Sequence, residues 1–219
     1  MIRFLIGLWI FMNSPLSVYA CDFDPQIESI ERKIKESRQV LDKQALDDVE
    51  VVKHHLATMG SVDQEVRKLF IDLDTPMTRK LLTEVDFLHT EHLKAILVIH
   101  GWITITKFGK EADRQAWLLV QHADHDPDFQ KHCVLLLQQL YPSGETDKKN
   151  YAYLYDRVAL KFQDFGLKQR YGTQAKIADD QIELCPFEGS PEDVNQRRRE
   201  MDFEPIEEYM ETLKTFYKG

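Results

Sequence analysis

The sequence predicts a mainly α-helical protein: a single-domain helical array with one small β-hairpin in its C-terminal half. Two observations support this fold class. Apolar residues recur at three- and four-residue intervals along most of the chain, which is the period of one helix face. Short loops with proline, glycine or capping residues separate these stretches, as in helical bundles, and the alternating pattern of strands occurs only late in the chain.

The first 20 residues resemble a secretory signal peptide. Arg3 precedes an apolar run from Phe4 to Met12, and Val18-Tyr19-Ala20 supplies a cleavage site. The run is about half of the roughly 20 residues that a bilayer-spanning helix needs. We therefore expect a periplasmic or secreted protein. Cys21 directly follows the expected cleavage site, so a lipid on Cys21 would be the only membrane attachment of the cleaved chain. The alternatives to cleavage are an uncleaved N-terminal anchor and a buried helix.

The N-terminal part of the mature chain is expected to be helical. Asp24-Pro25 places a capping carboxylate and a proline at the start of the first helix. The second helix is predicted from about Asp47 to Met59, where Gly60 ends it, and Ser61 caps a third. The expected divisions of the chain are a signal peptide at 1–20, an N-terminal helical extension at 21–60 and a helical domain at 61–219.

The middle of the chain is predicted to be helical almost throughout. A long helix runs from about Thr78 to His100, Gly101 provides its C-cap, and residues 102–108 form an extended connector. Three further helices follow, each with apolar residues on one face. They are predicted at about 110–123, 127–140 and 147–162.

The pattern changes near residue 171. Residues 171–177 and 181–185 alternate as strands do, and Asp179-Asp180 between them suits a hairpin turn. A short basic helix then begins after Ser190-Pro191 and continues through Arg199. The last helix is predicted from Pro205 to about Tyr217.

The composition excludes several classes of function. The formal net charge of −9 argues against nucleic acid as a partner, because neutralising phosphates requires clustered Lys and Arg. The sequence contains no glycine-rich phosphate loop and no Gly-x-Ser-x-Gly turn, so no cofactor and no serine nucleophile are expected.

Metal binding and disulfide formation are weighed on residue spacing. Asp86, His89 and His92 follow one another at three-residue steps, but helical metal sites use repeated Glu-x-x-His pairs, so no metal is expected. His54 and His55 are expected to be exposed. The cysteines are Cys21, Cys133 and Cys185; export permits a bridge between the last two, and Cys133 lies on an apolar helical face that favours burial.

Four segments are similar, in this order, to a bacterial domain family of unknown function. Ile103 stands where that family usually has proline, so the connector can be shaped differently here. The resemblance covers about Val62 to Leu213 and implies no activity. Its segments are Gly101-Trp102, the string AWLLVQHAD at 116–124, the string YAYLYDRV at 151–158 and the string QRYGTQ at 169–174.

His122 is the first candidate for chemistry. It lies at the end of an otherwise apolar helix, and an imidazole pKa near neutrality suits a general base. Asp124 or Asp156 is the expected partner carboxylate. The alternative is a core histidine that hydrogen-bonds a buried group, and its position near a helix C-terminus is also favourable on dipole grounds alone.

A polar pocket is predicted where His122, Asp124, Arg157 and Gln174 converge. The planar guanidinium of Arg157 suits a carboxylate or phosphate. The structural alternative for this region is an ion pair that ties the helix to the hairpin. The residues expected to bind a ligand are Gln121, Arg157, Tyr171, Thr173, Gln174 and Trp102.

Three functions follow from these candidates. The first is an exported module that binds a small molecule, a peptide or a protein in the predicted pocket. The second is a periplasmic or secreted enzyme that uses His122 with Asp124 or Asp156 as acid–base groups. The third is a structural protein of the cell envelope without a small-molecule site.

Overall fold

The computed structural model describes residues 24–38, 45–178 and 181–217, and it confirms the mainly helical fold with one small antiparallel hairpin. Within these residues the chain forms nine α-helices and two strands. The helices are α1 (Asp24–Arg38), α2 (Val49–Asp72), α3 (Pro76–His100), α4 (Ile105–Phe108), α5 (Lys110–His122), α6 (Pro127–Leu140), α7 (Lys148–Ala159), α8 (Pro191–Glu200) and α9 (Ile206–Tyr217). The strands are β1 (Ala175–Ala178) and β2 (Gln181–Leu184).

α2 is one continuous helix, whereas the sequence predicted two helices separated at Gly60 and Ser61. That prediction was wrong because Gly60 serves the close packing of two helices rather than a helix end. A Cβ atom at Gly60 would lie 1.8 Å from Oε1 of Gln115 on α5. A glycine inside a helix costs about 1 kcal/mol relative to alanine, and here the Gln115 side chain occupies the space that a Cβ would take. The expected boundary between residues 60 and 61 thus falls inside α2.

The other helices agree with the predicted limits to within a few residues. α3 begins at Pro76, because Thr75 caps it and forms a capping box with Thr78. The connector at 102–108 is not wholly extended as predicted, since one helical turn, α4, forms within it. The amide of Ile105 at the start of this turn donates to the carbonyl of Glu145, at 2.9 Å.

Buried apolar side chains form two clusters. The larger cluster is shared by α2, α3, α5, α6 and α7 and contains most of the core. The smaller cluster attaches α1 to α2 and α3 through Ile30 and Ile34, which pack beside Val66. Burying a side chain of this size stabilises by roughly 1.5–3 kcal/mol. α1 therefore depends on two isoleucines and on an ion pair between Lys33 and Glu65, at 2.6 Å.

The hairpin is shorter than predicted. β1 begins at residue 175 rather than 171, because Gly172 has a φ of 67° and nearby amides hydrogen-bond to a buried carboxylate instead of a neighbouring strand. A Cβ atom at Gly172 would lie 2.4 Å from Ile206, so this glycine also allows α9 to approach. The expected turn at 179–180 lies outside the described residues.

Cys133 and Cys185 are free thiols, so the bridge that export would permit is not formed. Burial in the core raises the pKa of the Cys133 thiol, which makes it inert. The expected signal peptide and Cys21 lie outside the described residues. None of the helices within residues 24–38, 45–178 and 181–217 has both the length and the apolar character needed to cross a bilayer.

Candidate functional site

His122, the last residue of α5, hydrogen-bonds to α2. Its Nδ1 lies 2.8 Å from Oδ1 of Asp63, whose side chain is only 1% exposed. The sequence predicted Asp124 or Asp156 as the partner of His122, and the structure corrects this to Asp63. A buried acceptor on an adjacent helix fixes both the position and the orientation of the imidazole ring.

Arg67 follows Asp63 by one helical turn and joins this pair to α3. Its Nε lies 3.2 and 3.3 Å from the two carboxylate oxygens of Asp63, and its Nη2 donates to Oδ1 of Asp86 at 2.5 Å. The same Nε lies 2.9 Å from Nδ1 of His122. Three elements of the fold are therefore linked through one guanidinium.

The contacts of Nδ1 determine which nitrogen of His122 carries the hydrogen. Nδ1 cannot both donate to Asp63 and accept from Arg67. Although burial opposes ionisation, the charge of Arg67 and hydrogen bonds from His122 and Gln64 hold the pKa of Asp63 well below its usual range. Nδ1–H therefore donates to an ionised Asp63, as does Nε–H of Arg67, and the lone pair of the neutral imidazole lies on Nε2.

Nε2 of His122 is left open to the surroundings. It makes no hydrogen bond with any residue in the described part of the chain, and the atom is not fully buried. Burial, and then the charge of Arg67, lower the pKa of His122. The imidazole is therefore neutral at pH 7, with its basic nitrogen unpaired within the described residues.

Asp124, in the loop after α5, anchors a second group of charges. Nε of Arg157 donates to its Oδ1 at 3.0 Å, and Nη2 of Arg157 donates to its Oδ2. Nζ of Lys161 donates to Oδ1 of Asp124 at 2.6 Å. Burial opposes ionisation, but Arg157 and Lys161 hold the pKa of Asp124 well below its usual range. The structure thus brings Asp124 and Arg157 together as a bidentate ion pair.

The two groups form one electrostatic unit, which we name the His122 cluster. Arg157 is close enough to lower the pKa of His122, after burial and Arg67, and Asp124 contributes to the raised pKa of Arg67. Asp63 and Arg157 are buried, and the other five side chains are 12–28% exposed. The cluster consists of Asp63, Arg67, Asp86, His122, Asp124, Arg157 and Lys161.

Asp86 differs from the other two carboxylates of the cluster. Burial raises its pKa to about 7, against the opposing charge of Arg67, and the nearby charges of Asp63 and Asp124 add to the increase. At neutral pH a substantial fraction of Asp86 is therefore protonated. The cluster combines a neutral imidazole with a carboxylic acid that exchanges its proton near pH 7.

Asp156 lies outside the His122 cluster and holds the backbone before the hairpin. Its oxygens accept from the amides of Arg170, Tyr171 and Thr173, at 2.6–3.0 Å, and from the hydroxyl of Thr173 at 2.9 Å. Gln174 donates from Nε2 to that hydroxyl oxygen and is itself buried. No hydrogen bond or ion pair within the described part of the chain joins these residues to His122, so Gln174 is bonded to a different group from His122, Asp124 and Arg157.

Two further residues expected to bind a ligand are buried and already paired. Nε1 of Trp102 donates to Oδ1 of Asp113 at 2.8 Å. The amide of Gln121 lies 3.1 Å from Nε1 of Trp117 and 3.0 Å from the backbone nitrogen of Leu154, so its oxygen accepts from both. These contacts join the connector to α5 and α5 to α7, which is a structural role.

A buried group of histidines lies between α2 and α3. His55, expected to be exposed, is buried, and its Nε2 lies 3.0 Å from Nδ1 of His92. Nε2 of His92 and Nδ1 of His89 are buried without a hydrogen-bond partner. Burial lowers the pKa of both His89 and His92 to about 4. Among the described residues no group of three or more His, Cys, Asp or Glu side chains is arranged to hold a metal ion.

A cleft of about 480 Å³ lies between the start of α2 and the junction of α4 with α5. Glu50, Lys53, His54, Phe108 and Lys110 are among the residues that line it. None of the residues that the sequence analysis selected for chemistry or ligand binding lines this cleft. The cleft and the His122 cluster are therefore separate features.

Comparison with known proteins identifies a family but no function. A family described as a family of unknown function, DUF6624, matches residues 50–218. The chain belongs to this family. The DUF6624 match includes every residue of the His122 cluster and excludes α1. No curated protein and no solved structure matches the chain.

Three members of the cluster in this DUF6624 protein were not predicted from the sequence: Asp63, Arg67 and Lys161. One signal was present, since Asp63 and Arg67 are an acid–base pair at i and i+4. Such pairs are common on solvated helix faces. Only the packing of α2 against α5 distinguishes this one, and no local pattern contains that contact.

Proposed function

We propose that this DUF6624 protein is an enzyme in which His122 is the general base and Asp63 orients it. One observation carries the proposal: Nδ1 of His122 is bound to a buried carboxylate at 2.8 Å, while Nε2 has no partner in the described part of the chain. A carboxylate on the far ring nitrogen selects the tautomer that histidine bases use and stabilises the imidazolium that forms.

The proposed step is a proton transfer. Nε2 takes a proton from water or from a substrate hydroxyl, and the oxygen so activated attacks the substrate. The ionised Asp63 then stabilises the imidazolium. Asp86 is the proposed proton donor to the leaving group, because burial raises its pKa to about 7 and Arg67 links it to His122.

Catalysis accounts for the geometry better than ligand binding in a deep pocket. All six side chains expected to bind a ligand are buried, and the hydrogen bonds of five of them serve the fold. The partly exposed groups that remain are those with acid–base chemistry. The five are Trp102, Gln121, Tyr171, Thr173 and Gln174.

Activity screening tests the proposal directly. Wild-type protein is assayed against a panel of carboxylic esters, phosphate esters and amides. We expect one class to be hydrolysed, and H122Q to lower the rate by about 10²–10⁴-fold, the usual contribution of a general base. H132Q is the matched control, because His132 is exposed on α6. Full activity of H122Q, or binding of a panel member without turnover, would contradict the enzyme and favour the binding module.

A second test needs no substrate. Diethyl pyrocarbonate acylates unprotonated imidazole nitrogens, and mass spectrometry locates the label. At neutral pH we expect rapid labelling of His122 and none of His89 or His92, which are buried. Failure of His122 to react, while the exposed His132 reacts, would show that Nε2 is not available as a base.

We also propose that the protein is exported, on the signal-peptide pattern of residues 1–20. The test is the mass of the mature protein after expression of the full chain in a bacterial host. We expect a chain that begins at Cys21, and a lipid on that residue would be seen as added mass. A chain that retains residues 1–20 would contradict export by this route.

A further inference from the structure

Carboxylates hold the two arginines of the His122 cluster. In each guanidinium two of the three nitrogens contact a carboxylate. Arg67 uses Nε and Nη2 for Asp63 and Asp86, and Arg157 uses Nε and Nη2 for Asp124. Neither Nη1 atom donates a hydrogen bond to a residue within 24–38, 45–178 or 181–217. Neither of these two atoms is fully buried. Each guanidinium therefore offers one nitrogen, Nη1, whose N–H groups have no partner in those residues.

These donors lie in the same electrostatic unit as the open nitrogen of His122. Arg67 contacts the imidazole directly, with Nε 2.9 Å from Nδ1. Arg157 is ion-paired with Asp124, which follows His122 by two residues in the chain. Carboxylates fix both guanidiniums, so little side-chain freedom is lost when a ligand binds to them.

The charge of the cluster favours an anion. Arg67, Arg157 and Lys161 face Asp63, Asp86 and Asp124, and burial raises the pKa of Asp86 alone among these carboxylates to about 7. With Asp86 protonated, the cluster carries one net positive charge. Planar guanidinium donors match the oxygens of carboxylates and phosphates, whereas a cation would be repelled.

We propose that the substrate carries a carboxylate or phosphate group, which Nη1 of Arg67 and Nη1 of Arg157 bind beside Nε2 of His122. The proposal rests on the function proposed for His122 and names the substrate class of that site. The oxyanion positions the neighbouring bond of the substrate, and the two arginines stabilise negative charge that develops on its oxygens. Arg67 and Arg157 are thus substrate-binding residues, and His122 is the catalytic residue.

Anion titration followed by NMR tests the proposal without any substrate. Inorganic phosphate and, separately, acetate are added to the full chain at constant ionic strength maintained with sodium chloride. We expect a saturable shift of the His122 ring signals and of the Nε signals of Arg67 and Arg157. Saturation by phosphate alone or by acetate alone identifies the type of oxyanion. A linear response to both anions would overturn the proposal.

Lysine variants test whether anion binding depends on the several N–H donors of each guanidinium. R157K and R67K keep the charge but lose the second donor, so we expect about tenfold weaker anion binding. R79K is the matched control, since Arg79 forms a similar two-nitrogen contact with Asp74 at an exposed site. Equal affinity in all three variants would overturn the proposal, and the wild-type titration decides it if R157K or R67K fails to fold.

The titration separates this inference from the function on which it rests. A saturable anion shift with Nε2 of His122 protonated would leave the anion site in place and refute the general base. An Nδ1–H tautomer of His122 with no saturable anion shift would support the general base and refute the anion site.

Discussion

Replacing Asp156 with alanine should destabilise the fold strongly, because this carboxylate is the acceptor for the backbone before the hairpin. The substitution removes the acceptor of three amides and one hydroxyl. The amides of Tyr171 and Thr173 are buried, and each unpaired buried donor costs about 1–3 kcal/mol. We allow for water entering the space left and expect D156A to lower the free energy of unfolding by about 3–5 kcal/mol.

The pH dependence of that loss has a definite sign. Burial raises the pKa of Asp156 to about 6, against the amide hydrogen bonds, whereas the unfolded value is near 3.8. Between these values the folded state binds more protons than the unfolded state, so the stability due to this group is greatest below pH 3.8 and is lost as the pH rises through 6. The cost of D156A should therefore be larger at pH 4 than at pH 7.

Urea unfolding followed by circular dichroism measures this cost at both pH values. D164A is the control, because Asp164 forms only an exposed ion pair with Lys131, and it should cost at most about 1 kcal/mol. A loss below 1 kcal/mol for D156A at both pH values would refute the structural role of Asp156. A loss that shrinks toward pH 4 would refute the sign argument.

Two further predictions concern the buried histidines and Gly172. Burial lowers the pKa of His89 and His92 to about 4, whereas the unfolded value is 6.5. Between pH 4 and 6.5 the unfolded state therefore binds more protons than the folded state, and the stability of the protein falls as the pH falls through this range. H92L should therefore lose less stability than wild type between pH 6.5 and 4 in thermal melts, and an equal or larger loss would contradict this. G172A should cost about 2–4 kcal/mol in urea unfolding, because it adds left-handed strain and overlap with Ile206, and a neutral result would contradict both.

The helical fold could be predicted from sequence because its signals are local. Helix periodicity, the Asp-Pro start of α6 and the capping of α3 by Thr75 depend on residues within one turn of each other. The prediction that a helix ends at Gly60 was wrong because it depends on a contact that is not local. Whether a glycine ends a helix or admits a neighbouring helix depends on Gln115, which is distant in sequence and gives no local sign.

The site could be predicted only in part, for the same reason. His122, Asp124 and Arg157 were selected as polar residues in an unusual context, and the structure brings them into one cluster. The partner of His122 is Asp63, 59 residues earlier in the chain. Burial is equally hidden from a single sequence, since Trp102 was expected to bind a ligand but donates to Asp113 in the core.

Nitrogen-resolved NMR of His122 is the most direct test of the central claim, that Asp63 holds this imidazole with Nε2 free. In wild type we predict an Nδ1–H tautomer at neutral pH and a pKa below the ordinary 6.5. In D63N we predict a further decrease of that pKa, because the charge of Asp63 raises it. A proton on Nε2 at pH 7, or a pKa unaffected by D63N, would contradict the account.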